Sequence, residues 1–215
     1  MYLVKTDSAG IEQWSRAFGD ELIEEAFAVR AMADGGFIVL AQAMRPAADY
    51  IARNPDRFMI RTDAWGNETW SCVWQEDGVQ GATLMLPAPD DHWLIAGLVS
   101  AAGTEGTTDP WLMLVNSQGE VIWDRPVGDE GCFDYASGVV ETADGGYVLT
   151  GMAECGGRSS VLLIKVDQDG ILRWQQNLAE GKGPRVGLRV FEAADGGLVV
   201  VGQADAHMAV ALRPF

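Results

Sequence analysis

The chain is poor in basic residues: 15 Lys and Arg stand against 31 Asp and Glu among 215 residues, and the net charge is −16. Such a field repels phosphate backbones and no basic stripe offsets it, so we expect no nucleic-acid partner. No run of about 18 apolar residues exists, so we expect no membrane-spanning segment. No basic leader with a long apolar stretch follows Met1, so we expect no secretory signal in this chain.

Cysteine and histidine are also scarce. Cys72, Cys132 and Cys155 have no CxxC spacing, and His92 and His207 stand alone, so a zinc site is not indicated. The odd number of cysteines argues against a full disulfide framework. We place Cys132 and Cys155 on loops of the same face, where they either form a disulfide or remain two free thiols.

No long segment has the 3.6-residue period of an amphipathic helix, and the pattern present is an internal repeat. Its first motif is a basic or apolar residue, an Asp or Asn turn closed by Gly, and a Trp. The four copies run over residues 5–14, 61–70, 115–123 and 165–174. Their tryptophans, Trp14, Trp70, Trp123 and Trp174, are spaced by 56, 53 and 51 residues.

A second motif lies between the copies of the first. Asp-Gly-Gly, or Asp-Asp-His in the second unit, precedes an apolar run in the segments 34–41, 90–97, 144–151 and 195–202. Its aspartates are spaced by 56, 54 and 51 residues. The two motifs are independent, yet the spacings between their copies change together along the chain. We therefore conclude that the chain is built from repeated units.

Each unit is predicted to contain four short strands, which we name a to d. Asp-Gly-Gly is a hairpin signal between strands a and b, since glycine accepts a positive φ. Asp-x-x-Gly is a turn between strands c and d, in which the aspartate caps the backbone. In the first whole unit the strands are predicted at 27–32, 37–41, 58–61 and 68–73. We interpret the repeated tryptophans as packing residues and the repeated aspartates as turn formers.

Four-stranded antiparallel units every 50 or so residues are typical of β-propeller blades. The predicted fold is therefore all-β: one propeller domain over residues 1–215, with blades at about 25–73, 79–125 and 135–177. A fourth, composite blade is expected where 186–215 joins 1–20, which would close the ring. Strand c then exists twice, near Tyr2 and in 208–213. The alternatives are an open arc, or two chains that complete a larger ring as a homo-oligomer.

The motif copies at 5–14, 61–70 and 165–174 resemble the tryptophan-docking motif of quinoprotein (PQQ-like) β-propellers. Together with Asp-Gly-Gly-Tyr-Val-Leu-Thr-Gly at 144–151, they are similar to the repeat propellers of bacterial secreted and cell-surface proteins. This resemblance covers nearly the whole chain. It implies a propeller and an extracellular or cell-surface location, within groups that include scaffolds, adhesion-like modules, assembly factors and enzymes.

Strand alternation predicts that the short a–b and c–d turns lie on one face of the ring. The longer, variable b–c and d–a connections lie on the other face, where function usually resides. This second face is acidic, and we expect it to bind a partner. The candidate partner-binding residues on it are Glu24, Glu25, Asp49, Glu76, Asp77, Asp109, Glu154, Trp74 and Trp111. Asp129, Glu130 and Asp134 are a weaker candidate calcium site.

The preferred function is a non-catalytic scaffold that recognises a protein or peptide, a basic one among the options, through the acidic loops. The alternatives are a glycan-binding propeller with exposed Trp65, Trp74 or Trp111, and a propeller fragment or engineered piece without activity of its own. We expect no cofactor and no catalytic residues. The chain has no nucleophile elbow, phosphate loop or metal triad, and no motif for the ligands of a quinone-dependent dehydrogenase.

Overall fold

A computed structural model describes residues 1–19, 23–44, 55–74, 79–100, 107–128 and 131–204. These residues form β-strands and turns, which confirms the all-β prediction. Over the same ranges, no helix has the length and apolar character needed to cross a membrane.

Sixteen strands are present in the described residues, and they follow the repeat. They are β1 (Tyr2–Thr6), β2 (Glu12–Ala17), β3 (Ile23–Ala31), β4 (Phe37–Met44), β5 (Pro55–Thr62), β6 (Glu68–Trp74), β7 (Val79–Ala88), β8 (His92–Ser100), β9 (Asp109–Val115), β10 (Val121–Pro126), β11 (Phe133–Glu141), β12 (Tyr147–Cys155), β13 (Arg158–Val166), β14 (Leu172–Gly181), β15 (Arg185–Glu192) and β16 (Leu198–Ala204).

Twelve of these strands form three four-stranded antiparallel sheets, each an up-and-down meander in chain order. Sheet 1 contains β3 to β6, sheet 2 contains β7 to β10, and sheet 3 contains β11 to β14. Within each sheet the strands correspond to the predicted strands a to d. The β1–β2 pair is an N-terminal hairpin and the β15–β16 pair is a C-terminal hairpin, each a separate two-stranded sheet.

Each a–b pair carries a bulge at the same place in the repeat. The register shifts between Ala82 and Leu84 in sheet 2, and between Ala136 and Gly138 in sheet 3. The bulge brings strand a close to the glycine that ends the second motif. A Cβ on Gly151 would lie 1.8 Å from the carbonyl oxygen of Tyr135, so sheet 3 requires glycine here, whereas sheet 1 has Ala41 at the same repeat position. The repeated glycine is thus explained by the close approach of two backbones.

The sheets stack face to face in chain order, because one sheet cannot bury both of its faces alone. Ile38 and Leu40 of sheet 1 share a buried cluster with Ile95 and Met113 of sheet 2. The other face of sheet 2 packs on Tyr147 and its neighbours in sheet 3. The opposite face of sheet 3, in turn, packs on the C-terminal hairpin. The core is therefore a series of apolar layers between successive units.

The repeated tryptophan forms a joint between successive units. Trp14, on the N-terminal hairpin, lies against Gly66 in the c–d turn of sheet 1, and Trp123 of sheet 2 lies against Gly170 in sheet 3. A Cβ on Gly170 would lie 2.8 Å from Trp123 Cζ3. Trp70 likewise approaches Gly119, with Cys72 beside it. The interpretation of these three tryptophans as packing residues is confirmed.

The second unit keeps its a–b turn without glycine. Asp90 and Asp91 both adopt φ of 59°, and the His92 amide donates to the Pro89 carbonyl at 3.2 Å. Aspartate tolerates this left-handed region better than most side chains. The replacement of Asp-Gly-Gly therefore changes the local turn and leaves the hairpin in place.

The predicted composite fourth blade is not formed over the described residues. The N-terminal and C-terminal hairpins are separate sheets with no hydrogen bonding between them. The competing strand predicted at 208–213 lies outside the described residues. Over the described residues the sheet is therefore open between β16 and β1, which are strands b and c of the predicted composite blade.

We expect Gly170→Ala to lower the free energy of unfolding by about 2–3 kcal/mol, because it adds a collision with Trp123 to the strain of a positive φ. Gly145→Ala in the same sheet is the matched control: its φ is also positive, but its Cβ would meet only Gln168 Oε1, at 3.9 Å. It should cost about 1 kcal/mol. Chemical denaturation measures both, and equal losses would contradict the joint.

The turn aspartates accept several hydrogen bonds. Lys165 Nζ donates to Asp144 Oδ1 at 2.6 Å, and this contact, with bonds from Thr142 and the Gly146 amide, holds the pKa of Asp144 well below its ordinary value. In sheet 1, the Gly36 amide and then Arg61 lower the pKa of Asp34 in the same way. Each carboxylate is thus stabilised in its charged form.

These shifts predict a loss of stability in acid. The folded pKa of Asp144 lies below its ordinary value of 3.8, so its contribution is fully present above pH 3.8 and is lost as the pH falls below that value. The melting temperature should therefore fall between about pH 4 and pH 2. Asp144→Asn should reduce this fall, whereas Glu12→Gln, which alters an exposed acid by the same charge, should leave it in place.

Candidate functional site

The loop face is the end of the stack that carries the b–c and d–a connections. It follows from the antiparallel meander, since strands a and c begin at this end and strands b and d finish there. The opposite end, the turn face, carries the a–b and c–d turns. The division of the connections between two faces is confirmed for the described residues.

Backbone contacts join sheets 2 and 3 at the loop face. Thr108 and Phe133 form an isolated parallel bridge, and the Asp134 amide donates to the Thr108 carbonyl at 2.7 Å. Beside them, Cys132 and Cys155 form a disulfide with Cα atoms 5.0 Å apart. A cross-link over this short separation stabilises a fold by about 3 kcal/mol. Of the two alternatives for Cys132 and Cys155, the structure shows the disulfide. The disulfide and the backbone contacts together hold this part of the loop face in place.

A buried charged cluster lies between sheets 1 and 2 near the loop face. The guanidinium of Arg57 lies 4.0 Å from the ring centroid of Trp111, and both side chains are 1% exposed. Trp111 Nε1 donates to Asp124 Oδ1 at 2.6 Å. A desolvated cation–π contact of this kind contributes about 2 kcal/mol. The cluster fixes the two sheets against each other where their loops emerge.

The prediction that Trp111 is exposed for a partner or a sugar is wrong, because Arg57 and sheet 2 bury it. Strand alternation could have indicated this, since Trp111 shares a strand face with the apolar Met113 and Val115. Trp74 is partly buried and donates its indole N–H to the Gly119 carbonyl at 3.1 Å. Trp65 is exposed, but it lies in a c–d turn on the turn face.

The predicted acidic residues divide into exposed and occupied side chains. Glu25 and Glu154 are exposed at the loop ends of β3 and β12. Asp109 is half-buried at the start of β9. Glu24 is not among the exposed acids, because its side chain is 7% exposed and its carboxylate pairs with the Met1 ammonium at 2.8 Å. Three further candidates lie outside the described residues: Asp49, Glu76 and Asp77.

The candidate calcium site is only partly within the described residues, since Asp129 and Glu130 lie outside them. Asp134 is 1% exposed at the start of β11, beneath the bridge to Thr108. Among the side chains that the structure describes, no three of His, Cys, Asp and Glu are grouped to hold a metal ion.

Neither a family model nor a curated protein matches the chain.

The remaining thiol, Cys72, is half-buried at the joint between sheets 1 and 2. Burial raises the pKa of the Cys72 thiol to about 11, so at pH 8 only about one molecule in a thousand carries the reactive thiolate. Its environment next to Gly119 is apolar and belongs to the packing of the joint. Cys72 is therefore a packing residue and a poor nucleophile.

A thiol titration at pH 8 tests both assignments. The native chain should react very slowly, and the denatured, unreduced chain should release one thiol, that of Cys72. Denaturation after reduction should release three. In Cys72→Ser the unreduced, denatured chain should release none, and any reaction there would contradict the Cys132–Cys155 disulfide.

Proposed function

We propose that the four-stranded sheets are blades of a β-propeller and that the chain is a non-catalytic binding module. Its partner is a cationic protein segment or peptide that binds the loop face. The observation that carries this proposal is the exposure of Glu25 and Glu154 at the loop ends of two different sheets. These carboxylates are placed on strands, so the scaffold holds their backbone in a fixed arrangement.

The net charge supports a cationic partner. At −16, the chain attracts basic segments over about a Debye length, roughly 10 Å at moderate salt. Attraction of this kind speeds encounter, and local charge placement then selects the surface that is used. A basic peptide would gain contacts to carboxylates without needing a deep pocket.

The use of the repeated residues supports a binding role rather than a catalytic one. The turn aspartates accept backbone hydrogen bonds, as when Asp63 Oδ1 receives the Trp65 and Asn67 amides at 2.8 and 2.9 Å. The docked tryptophans pack between units. The repeated aspartates and tryptophans thus stabilise the scaffold. The connections that do not repeat are the part of the chain that can recognise a partner.

The disulfide supports an extracellular or cell-surface location. Disulfides persist in oxidising compartments and are rare in the reducing cytosol. The Cys132–Cys155 bond closes a loop at the proposed binding face, where it would also keep that face ordered outside the cell.

Binding of a fluorescein-labelled decalysine peptide, measured by anisotropy at 50 and 500 mM NaCl, tests the proposal. The double variant Glu25→Gln with Glu154→Gln should weaken binding about fivefold at low salt, because it removes two carboxylates at the contact surface. High salt should weaken binding to the unaltered chain.

The matched control is Glu12→Gln with Glu68→Gln. It makes the same change in net charge, but both exposed acids begin strands at the turn face. Binding should weaken less than about twofold in this control. Equal losses in the two double variants would mean that the peptide senses net charge only, and would overturn the assignment to the loop face.

A further inference from the structure

The tryptophan–glycine contact that joins successive units is incomplete at two places, in sheet 3 and in the N-terminal hairpin. Trp174, the last of the repeated tryptophans, is exposed on β14, whereas Trp14 is 9% exposed. At the other end, Gly10 is exposed and a Cβ there would meet nothing within 4 Å. The corresponding glycines, Gly66 and Gly170, are buried under tryptophans. We call the c–d turn glycine that receives a tryptophan the seat of the joint. Among the described residues, Trp174 lies on no seat, and the seat at Gly10 has no tryptophan.

A second repeated contact is divided in the same way. In sheet 3, Lys165 at the end of strand c pairs with Asp144 of the a–b turn, and in sheet 1 Arg61 pairs with Asp34. The same position of the repeat is Lys5 in the N-terminal hairpin, which has no a–b turn of its own. The C-terminal hairpin has the aspartate, Asp195, and within β15–β16 no strand c. The two hairpins thus carry opposite charges at matching positions.

The C-terminal hairpin also leaves an apolar face open. Val199 and Val201 of β16 are 38% and 50% exposed. The residues at the same repeat positions in sheet 1, Ile38 and Leu40, are 1% and 0% exposed because the next sheet covers them. Phe191 lies beside Val199 on β15 and is also exposed.

From these observations we propose that two copies of this chain associate head to tail. The N-terminal hairpin of one copy completes the C-terminal hairpin of the other as a four-stranded sheet. Trp174 of one copy then rests on Gly10 of its partner copy, and Asp195 pairs with Lys5. Sheet 1 of the partner copy covers the face that contains Val199. The occupant is a second copy because each hairpin supplies the strands that the other lacks, yet the two hairpins of one chain do not pair with each other.

The repeat also gives the register of the new pairing. Phe37 pairs with Thr62 in sheet 1, and Tyr147 pairs with Val166 in sheet 3. At the same positions, Leu198 lies opposite Thr6, so that Val200 lies opposite Val4. A contact between different surfaces of the two copies closes into a ring when the rotation between copies permits, and otherwise continues as a filament.

Light scattering after size exclusion should give a mass of at least twice 23.2 kDa. Trp174→Ala should raise the dissociation constant at least about tenfold, as expected for a tryptophan at an interface centre. Trp65→Ala, which removes an exposed tryptophan outside the proposed contact, should change it less than about twofold. A monomer at all concentrations would overturn the proposal.

Charge exchange separates association between copies from closure within one chain. Lys5→Asp alone and Asp195→Lys alone each place like charges together and should weaken association. An equimolar mixture of the two variants should recover it, because every contact between unlike copies then joins opposite charges. Failure of the mixture to recover would contradict a contact between copies.

Disulfide trapping identifies the occupant of the β16 edge. In a Cys72→Ser background, chains with Val4→Cys mixed with chains with Val200→Cys should give a cross-linked dimer after mild oxidation. A chain that carries both substitutions and cross-links only at monomer mass would show closure within one chain. No cross-link in either case would indicate another occupant, residues 208–213 among them, and both results would overturn the proposal.

Salt distinguishes this association from peptide binding at the loop face. Two copies of net charge −16 repel each other, so added NaCl should strengthen the apolar contact between them. The decalysine peptide should instead bind more weakly as salt rises. Either proposal can therefore fail while the other holds.

Discussion

The contact of a tryptophan with a glycine of the next unit is the interaction on which the stack of sheets depends. At Gly170 the absence of a side chain admits the Trp123 ring, and the positive φ of the same residue closes the c–d turn. Glycine at this position thus closes the turn within one unit and also makes room for the tryptophan of the preceding unit. Because the tryptophan and the glycine belong to successive sheets, each sheet positions the next one along the chain.

The apolar layers between sheets follow from this spacing. Alternate residues of the inner strands meet in the layer between two sheets, and Leu40 and Met113 belong to the same buried cluster there. The buried charge of Arg57 is accommodated in these layers because Trp111 offers it an aromatic face. The strands that carry Arg57 and Trp111 are held together by this contact near the loop face. This supports the proposal that recognition takes place at the loop face.

The same joint accounts for the openness of the chain. Sheets 1 and 2 have both a glycine seat and a tryptophan in use, whereas in sheet 3 Trp174 is exposed and in the N-terminal hairpin the seat at Gly10 is open. Over the described residues, the exposed apolar side chains of β16 and the open seat at Gly10 lie at the two hairpins that have no partner strands. Association of copies would remove both, since it restores the interior environment of every unit.

The repeat by itself determined the strands, their order, the turns and the packing role of the tryptophans, because each depends on residues close together in the sequence. Trp123 and Asp63 could be assigned in this way. Only the tertiary structure decided which loop-face residues are available: Trp111 lies under Arg57, and Glu24 pairs with the Met1 ammonium. Those contacts join residues from different units, and local sequence patterns do not encode them. The pairing of Cys132 with Cys155 was undecided for the same physical reason, since it depends on the distance between two connections in space.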